Sequence, residues 1–201
     1  MSNSYLYERV IELAHTQGVI RPSDVEAQGL SRHHLSRLAR DGKLVRLERG
    51  IYMHPDRNVT EHSAMVEVAA KNKNVVICLL SALQFHELTT QAPAKVWVAL
   101  ANNARIPRMS YPPLKVVRFS GLVLTEGVQT HNLEGIDVQI TSVAKTVVDC
   151  FKFRNRVGLD VALEALRDAW QTKKMNMDEL WHYAKICRMT NVMRPYLESL
   201  V

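Results

Sequence analysis

Residues 31–54 read SRHHLSRLARDGKLVRLERGIYMH. Ser31 can cap a helix by accepting an unpaired backbone N–H, and Gly42 stops that helix. Leu35 and Leu38 mark its buried side. His33, Ser36, Arg37 and Arg40 fall at i, i+3, i+4 and i+7, so they share the opposite face. Residues 43–47 and 51–53 read as two short strands around Glu48-Arg49-Gly50. The alternation is imperfect, because Leu44, Val45 and Leu47 cannot all point to one side of a strand. A short basic helix followed by a basic hairpin is the layout of a DNA-recognition helix and its wing.

The flanking sequence completes the unit. Leu6, Val10, Leu13 and Ala14 recur with helical spacing, which predicts a helix over residues 5–16 that Gly18 ends. Pro22-Ser23-Asp24 opens a second, short helix to Gln28, since proline suits a first turn, and Gly29 makes the turn into the third. Three helices and a hairpin predict a winged helix-turn-helix over residues 1–56. The polar stretch 56–60 is the expected boundary, and residues 57–201 form the expected second domain.

Charge supports a nucleic-acid partner. The 201-residue chain carries a formal net charge of +6, and residues 30–50 hold six Lys/Arg against two acids. Arginine can bond both major-groove acceptors of guanine, worth roughly 1–3 kcal/mol of discrimination for a good pair. Arg37, Arg40 and His33 are therefore the expected base contacts. Arg32, Ser36, Lys43, Arg46 and Arg49 are the expected positioning contacts, with Arg49 suited either to a minor groove or to a phosphate. His33 and His34 point about 100° apart on a helix and make a poor chelating pair.

Beyond residue 60 the chain reads as a mixed α/β domain that ends in helices. Helices are expected at 61–71 and 81–87. Strands are expected at 75–78, 96–100, 114–119, 123–130 and 137–140, and only helices after Thr141. Leu159, Leu163, Leu166 and Trp170 look like one amphipathic stripe, and Asn176 with Glu179 resembles a capping box. Trp97, Tyr111 and Trp170 are expected in the core. Arg105, Arg108 and Lys145 are candidates for a second basic surface. The fold class is accordingly α+β.

Cys78, Cys150 and Cys187 lie far apart without a CxxC pair and read as buried free thiols, so neither a disulfide framework nor a zinc site is expected. No apolar run reaches membrane-spanning length. The N-terminus lacks a basic region followed by an apolar stretch, so a cytoplasmic location is expected.

Residues 18–55 resemble the N-terminal winged helix of the AbiEi family, the antitoxins of type IV toxin–antitoxin systems. The resemblance is carried by the strand, Arg-Gly turn and Gly-hydrophobic-Tyr of residues 42–52, GKLVRLERGIY. Further on, residues 80–88 (LSALQFHEL) and 141–149 (TSVAKTVVD) are similar to two later family segments. Val143 stands where that family commonly has proline, and Lys145 where it has arginine, which is not an equivalent side chain. The resemblance implies a winged helix that binds operator repeats in duplex DNA and represses its own operon. It also implies a second domain that counteracts a nucleotidyltransferase-like toxin without a stable complex, and it implies no enzyme activity and no cofactor.

Two other readings share the chain. A stand-alone repressor with no toxin has every DNA-binding feature above. A DNA-tethered nuclease would need an acid cluster. Its candidates, Glu126, Asp137 and Asp149, lack the Asp/Glu-x-Lys element, since Gln139 stands where the lysine belongs.

Overall fold

The computed structural model describes residues 3–56, 60–109 and 111–199. The chain divides into two compact units, Met1–Lys73 with His131–Val138, and Asn74–Thr130 with Gln139–Val201.

The first unit begins with α1 (Asn3–Gln17), β1 (Val19–Ile20), α2 (Pro22–Ala27) and α3 (His33–Arg40). The hairpin β2 (Val45–Glu48) and β3 (Ile51–Met53) follows, then α4 (Ser63–Lys71). The strands form one sheet in the order β1-β3-β2, with β3 antiparallel to both neighbours. Val10, Ala14, Ile20, Val25, Leu35, Leu38 and Leu44 close a core from all three leading helices and the sheet. Three helices with a three-stranded wing are the winged helix-turn-helix read from the sequence. Burying Leu35 and Leu38 stabilises the seat of α3 by roughly 1.5–3 kcal/mol each.

The awkward alternation in the hairpin has a geometric solution. A register shift between Arg46 and Glu48 bulges β2. Leu44 is buried just before the strand, Val45 is 43% exposed, and Leu47 is half-buried. Of the connector expected at 56–60, residues 57–59 lie outside the described residues. Helix α4 groups with the first unit and touches β2.

The second unit contains β4 (Val76–Ile77), α5 (Leu79–Phe85), β5 (Val96–Ala101), β6 (Leu114–Phe119) and α6 (Leu122–Thr125). After them come β7 (Val128–Leu133) and β8 (Ile136–Thr141), of which the stretch His131–Val138 groups with the first unit, then α7 (Val143–Lys152), α8 (Arg154–Val157), α9 (Leu159–Gln171), α10 (Met177–Cys187) and α11 (Thr190–Glu198). The sheet order is β6-β5-β4-β8-β7. β4 is antiparallel to β5 and parallel to β8, and β5 is parallel to β6. Glu134 and Gly135, both at positive φ, turn β7 into β8. Helix α7 is buried from Ala144 to Phe151 and packs against α5, α9 and α10. An all-round buried helix is a core element.

Three expectations are corrected here. Residues 123–130 are not one strand: α6 occupies 122–125, and β7 starts at Val128. Gly121 (φ +53°) and Gly127 (φ +71°) bracket that turn of helix, and Val123 and Leu124 pack inward from it, overriding their strand preference. The buried face of α9 is Val161, Ala162, Ala165, Leu166 and Ala169, whereas Leu159 and Trp170 are each 37% exposed. Alanines let α9 approach α7, and a stripe chosen by the bulkiest residues is rotated off the true contact. Of the three aromatics expected inside, only Trp97 is buried, while Tyr111 is 65% exposed. Two further expectations stand. The three thiols are fully buried, and Asn176 Oδ1 accepts the Glu179 amide at 2.8 Å to open α10. Among the described residues no helix is long and apolar enough to cross a membrane.

Candidate nucleic-acid interface

Helix α3 is amphipathic because its leucines and its polar residues are offset by about half a turn. Leu35 and Leu38 are buried, while Arg32, His33, Ser36, Arg37 and Arg40 are all exposed. The helix starts at His33, whose amide donates to Ser31 Oγ at 3.4 Å, so the serine acts one residue outside the formal cap at Arg32. Its end is fixed by the amides of Lys43 and Leu44, which donate to Leu38 O at 2.9 and 3.2 Å. Gly42 and Gly50 adopt φ of +72° and +77°, allowing the turn off α3 and the tip of the wing.

The structure brings five of the sequence-derived residues together. Arg32, His33, Ser36, Arg46 and Arg49 line an open recess between α3 and the hairpin, with Tyr52 in its wall. Arg46 Nε donates to Glu48 O at 3.3 Å, which holds its side chain along the wing. Arg32 Nε lies 3.8 Å from Glu26 Oε1, with both side chains well exposed, so solvent screens that pair. Arg37 sits outside the recess. Its guanidinium lies over the Tyr7 ring at 5.6 Å, and His34 meets the same ring edge-on at 5.1 Å. Arg40 is exposed near its neighbour Asp41, at 3.9 Å, and Lys43 is exposed on the turn after α3.

Two contributors were not identified from the sequence. Tyr52, read only as the closing tyrosine of the hairpin, is 5% exposed and places its hydroxyl 3.4 Å from Ser36 Oγ. Tyr7 was read as one position of a scaffold helix. Its ring contact with Arg37 depends on how α1 packs on α3, and no local pattern signals it.

The second basic surface is changed. Arg105 and Arg108 are exposed on the loop between β5 and β6, whose base is pinned by Arg118 Nη1 donating to Ala101 O and Ala104 O at 2.6 and 2.7 Å. Residues 88–125 contain five Lys/Arg and no Asp or Glu. Lys145 does not belong to that surface. It is fully buried, and its Nζ donates to Asp149 Oδ1 and Oδ2 at 2.6 and 2.5 Å. The pair lies one turn apart on α7, with Lys145 Nζ 4.8 Å from the centre of the Phe119 ring, and Cys187 Sγ donates to Asp149 Oδ1 at 3.6 Å. Burial pushes the Asp149 carboxyl above the usual carboxylate range, against the opposing pull of Lys145. Asp149 is thus a structural partner. Asp137, another acid weighed as catalytic, is exposed and accepts from Asn132 Nδ2 at 2.9 Å.

Comparison with known proteins agrees with the geometry of the first unit. Residues 8–55 match the family described as "Transcriptional regulator, AbiEi antitoxin". Over a larger span the fold is similar to the crystal structure of the RV2827C protein from Mycobacterium tuberculosis, with a TM-score of 0.58 and 13% identity. That likeness covers 90% of this chain and 71% of the other. No curated protein matches the chain.

Proposed function

We propose that this chain is a sequence-specific duplex-DNA-binding antitoxin that represses its own toxin–antitoxin operon. The match of residues 8–55 to a transcriptional-regulator family supports the coarser part, a DNA-binding regulator. Sequence-specific duplex binding rests on the exposed stripe of His33, Ser36, Arg37 and Arg40 over buried Leu35 and Leu38, beside a wing bearing Arg46 and Arg49. In this reading α3 enters the major groove, Arg37, Arg40 and His33 read base edges, and the remaining cations hold phosphates. Arg105 and Arg108 form the second basic surface. No chemistry is assigned to the protein, and its place of action is the cytoplasm.

The antitoxin half extends the family description of the winged helix to the second unit. The partner is a nucleotidyltransferase-like toxin encoded nearby and counteracted without a stable complex. The test is a reporter fused to the DNA upstream of this gene. Wild-type protein is expected to repress it, and Arg37→Ala with Arg40→Ala to release it. Co-expression with the adjacent gene should restore growth that the adjacent gene alone arrests. Repression without any rescue of growth would leave a stand-alone repressor.

A further inference from the structure

The recess between α3 and the hairpin has a volume of about 330 Å³. Arg32, His33, Ser36, Arg46, Arg49 and Tyr52 supply its polar side chains, three of them permanently cationic, beside Pro22 and Gly50, and no carboxylate lines it. Ser36 Oγ and the Tyr52 hydroxyl are 3.4 Å apart. Within such a pair one O–H serves the other oxygen, and the second O–H is left for a ligand. The bond from Arg46 Nε to Glu48 O engages one nitrogen of the guanidinium and leaves the fork of the other two as donors. The ligand for a wall of donors and positive charge is one that offers only acceptors and negative charge.

We propose that this recess is a phosphate seat. It takes one phosphate group, supplied by the DNA backbone when a duplex is bound and by inorganic phosphate otherwise. The first source rests on the DNA-binding reading above; the second does not. The seat gives Arg49 a phosphate partner rather than a minor-groove one. It also makes inorganic phosphate a competitor of duplex DNA beyond its effect on ionic strength.

The test titrates inorganic phosphate into the full chain at constant ionic strength, against chloride, and follows backbone amide resonances. Saturable shifts centred on Ser36, Gly50 and Tyr52 are expected. Arg46→Gln with Arg49→Gln should weaken the binding roughly tenfold or more, while Lys73→Gln, a cation outside the recess and outside the DNA-binding face, should leave it unchanged. All three positions are exposed, and thermal unfolding checks that the variants remain folded. Linear, unsaturable shifts spread over every basic residue, the same in the double variant, would overturn the seat even if duplex DNA still binds. A second arm measures duplex binding in phosphate and in chloride. Stronger displacement by phosphate supports the backbone source, and equal displacement with a saturated recess overturns it. Saturable phosphate binding with no duplex binding keeps the seat and removes the DNA reading.

Discussion

At the scale of single residues, exposure and contact separate side chains that look alike in the sequence. Arg37 and Lys43 are both basic and exposed, but Arg37 is braced on Tyr7 and projects from the helix face, whereas Lys43 sits on the turn. Arg37→Ala should therefore weaken binding and relax sequence preference, and Lys43→Ala should weaken all DNA about equally and lower the salt slope by about 1. Equal loss on specific and random duplex for Arg37→Ala would end its assignment as a base reader. Tyr7→Phe keeps the ring and should preserve specificity, while Tyr7→Leu, with no ring to face the cation, should lower it several-fold without changing the salt slope. Lys145 and Asp149 behave in the opposite way. Removing one member of a fully buried ion pair leaves an uncompensated charge, so Asp149→Ala should cost about 3–5 kcal/mol by chemical denaturation. Loss below about 1 kcal/mol would mean that Lys145 finds another partner. The sequence showed the spacing of that pair and its charge, but not its burial, which comes from packing on all sides of α7.

At the scale of elements, legibility followed period and punctuation. Helix α3 was legible because two leucines, four polar residues and two glycines all give the same phase and ends. The wing was legible from its turn, and its uneven strand proved to be a bulge. Elements whose form depends on a distant neighbour were misread. The short α6 hides in a run of residues that favour strands. The contact face of α9 is written in alanine, which carries little hydrophobic signal. Gly127 shows how tight such a neighbour is. At φ +71°, a Cβ there would meet Lys145 Cβ at 2.8 Å and the Tyr183 ring at 2.9 Å. Both are tighter than side-chain packing allows, and the backbone angle is itself unfavourable. Gly127→Ala should therefore destabilise the second unit by about 1–3 kcal/mol or more. An unchanged unfolding midpoint would contradict the close approach of α7 and α10 at this turn.

At the scale of the whole molecule, two units divide the chemistry. The second holds a thiol-rich core. Burial pushes Cys78 and Cys150 far above the ordinary thiol range and Cys187 up to about 12. A thiol whose folded value is raised contributes stability that is full below the unfolded value and declines as pH rises past it. Unfolding free energy should fall above about pH 9, and none of the three thiols should react with a thiol reagent at neutral pH until the chain unfolds. Rapid labelling of the native protein would place a cysteine at the surface and contradict this core. The first unit carries the basic helix, the wing and the recess, and the functional account rests on it. The most direct measurement compares binding to the duplex just upstream of this gene with binding to random duplex at the same salt. The account predicts a preference of roughly a thousandfold or more. Equal, weak and salt-sensitive binding to both would reduce the basic helix to an electrostatic handle and contradict sequence-specific recognition.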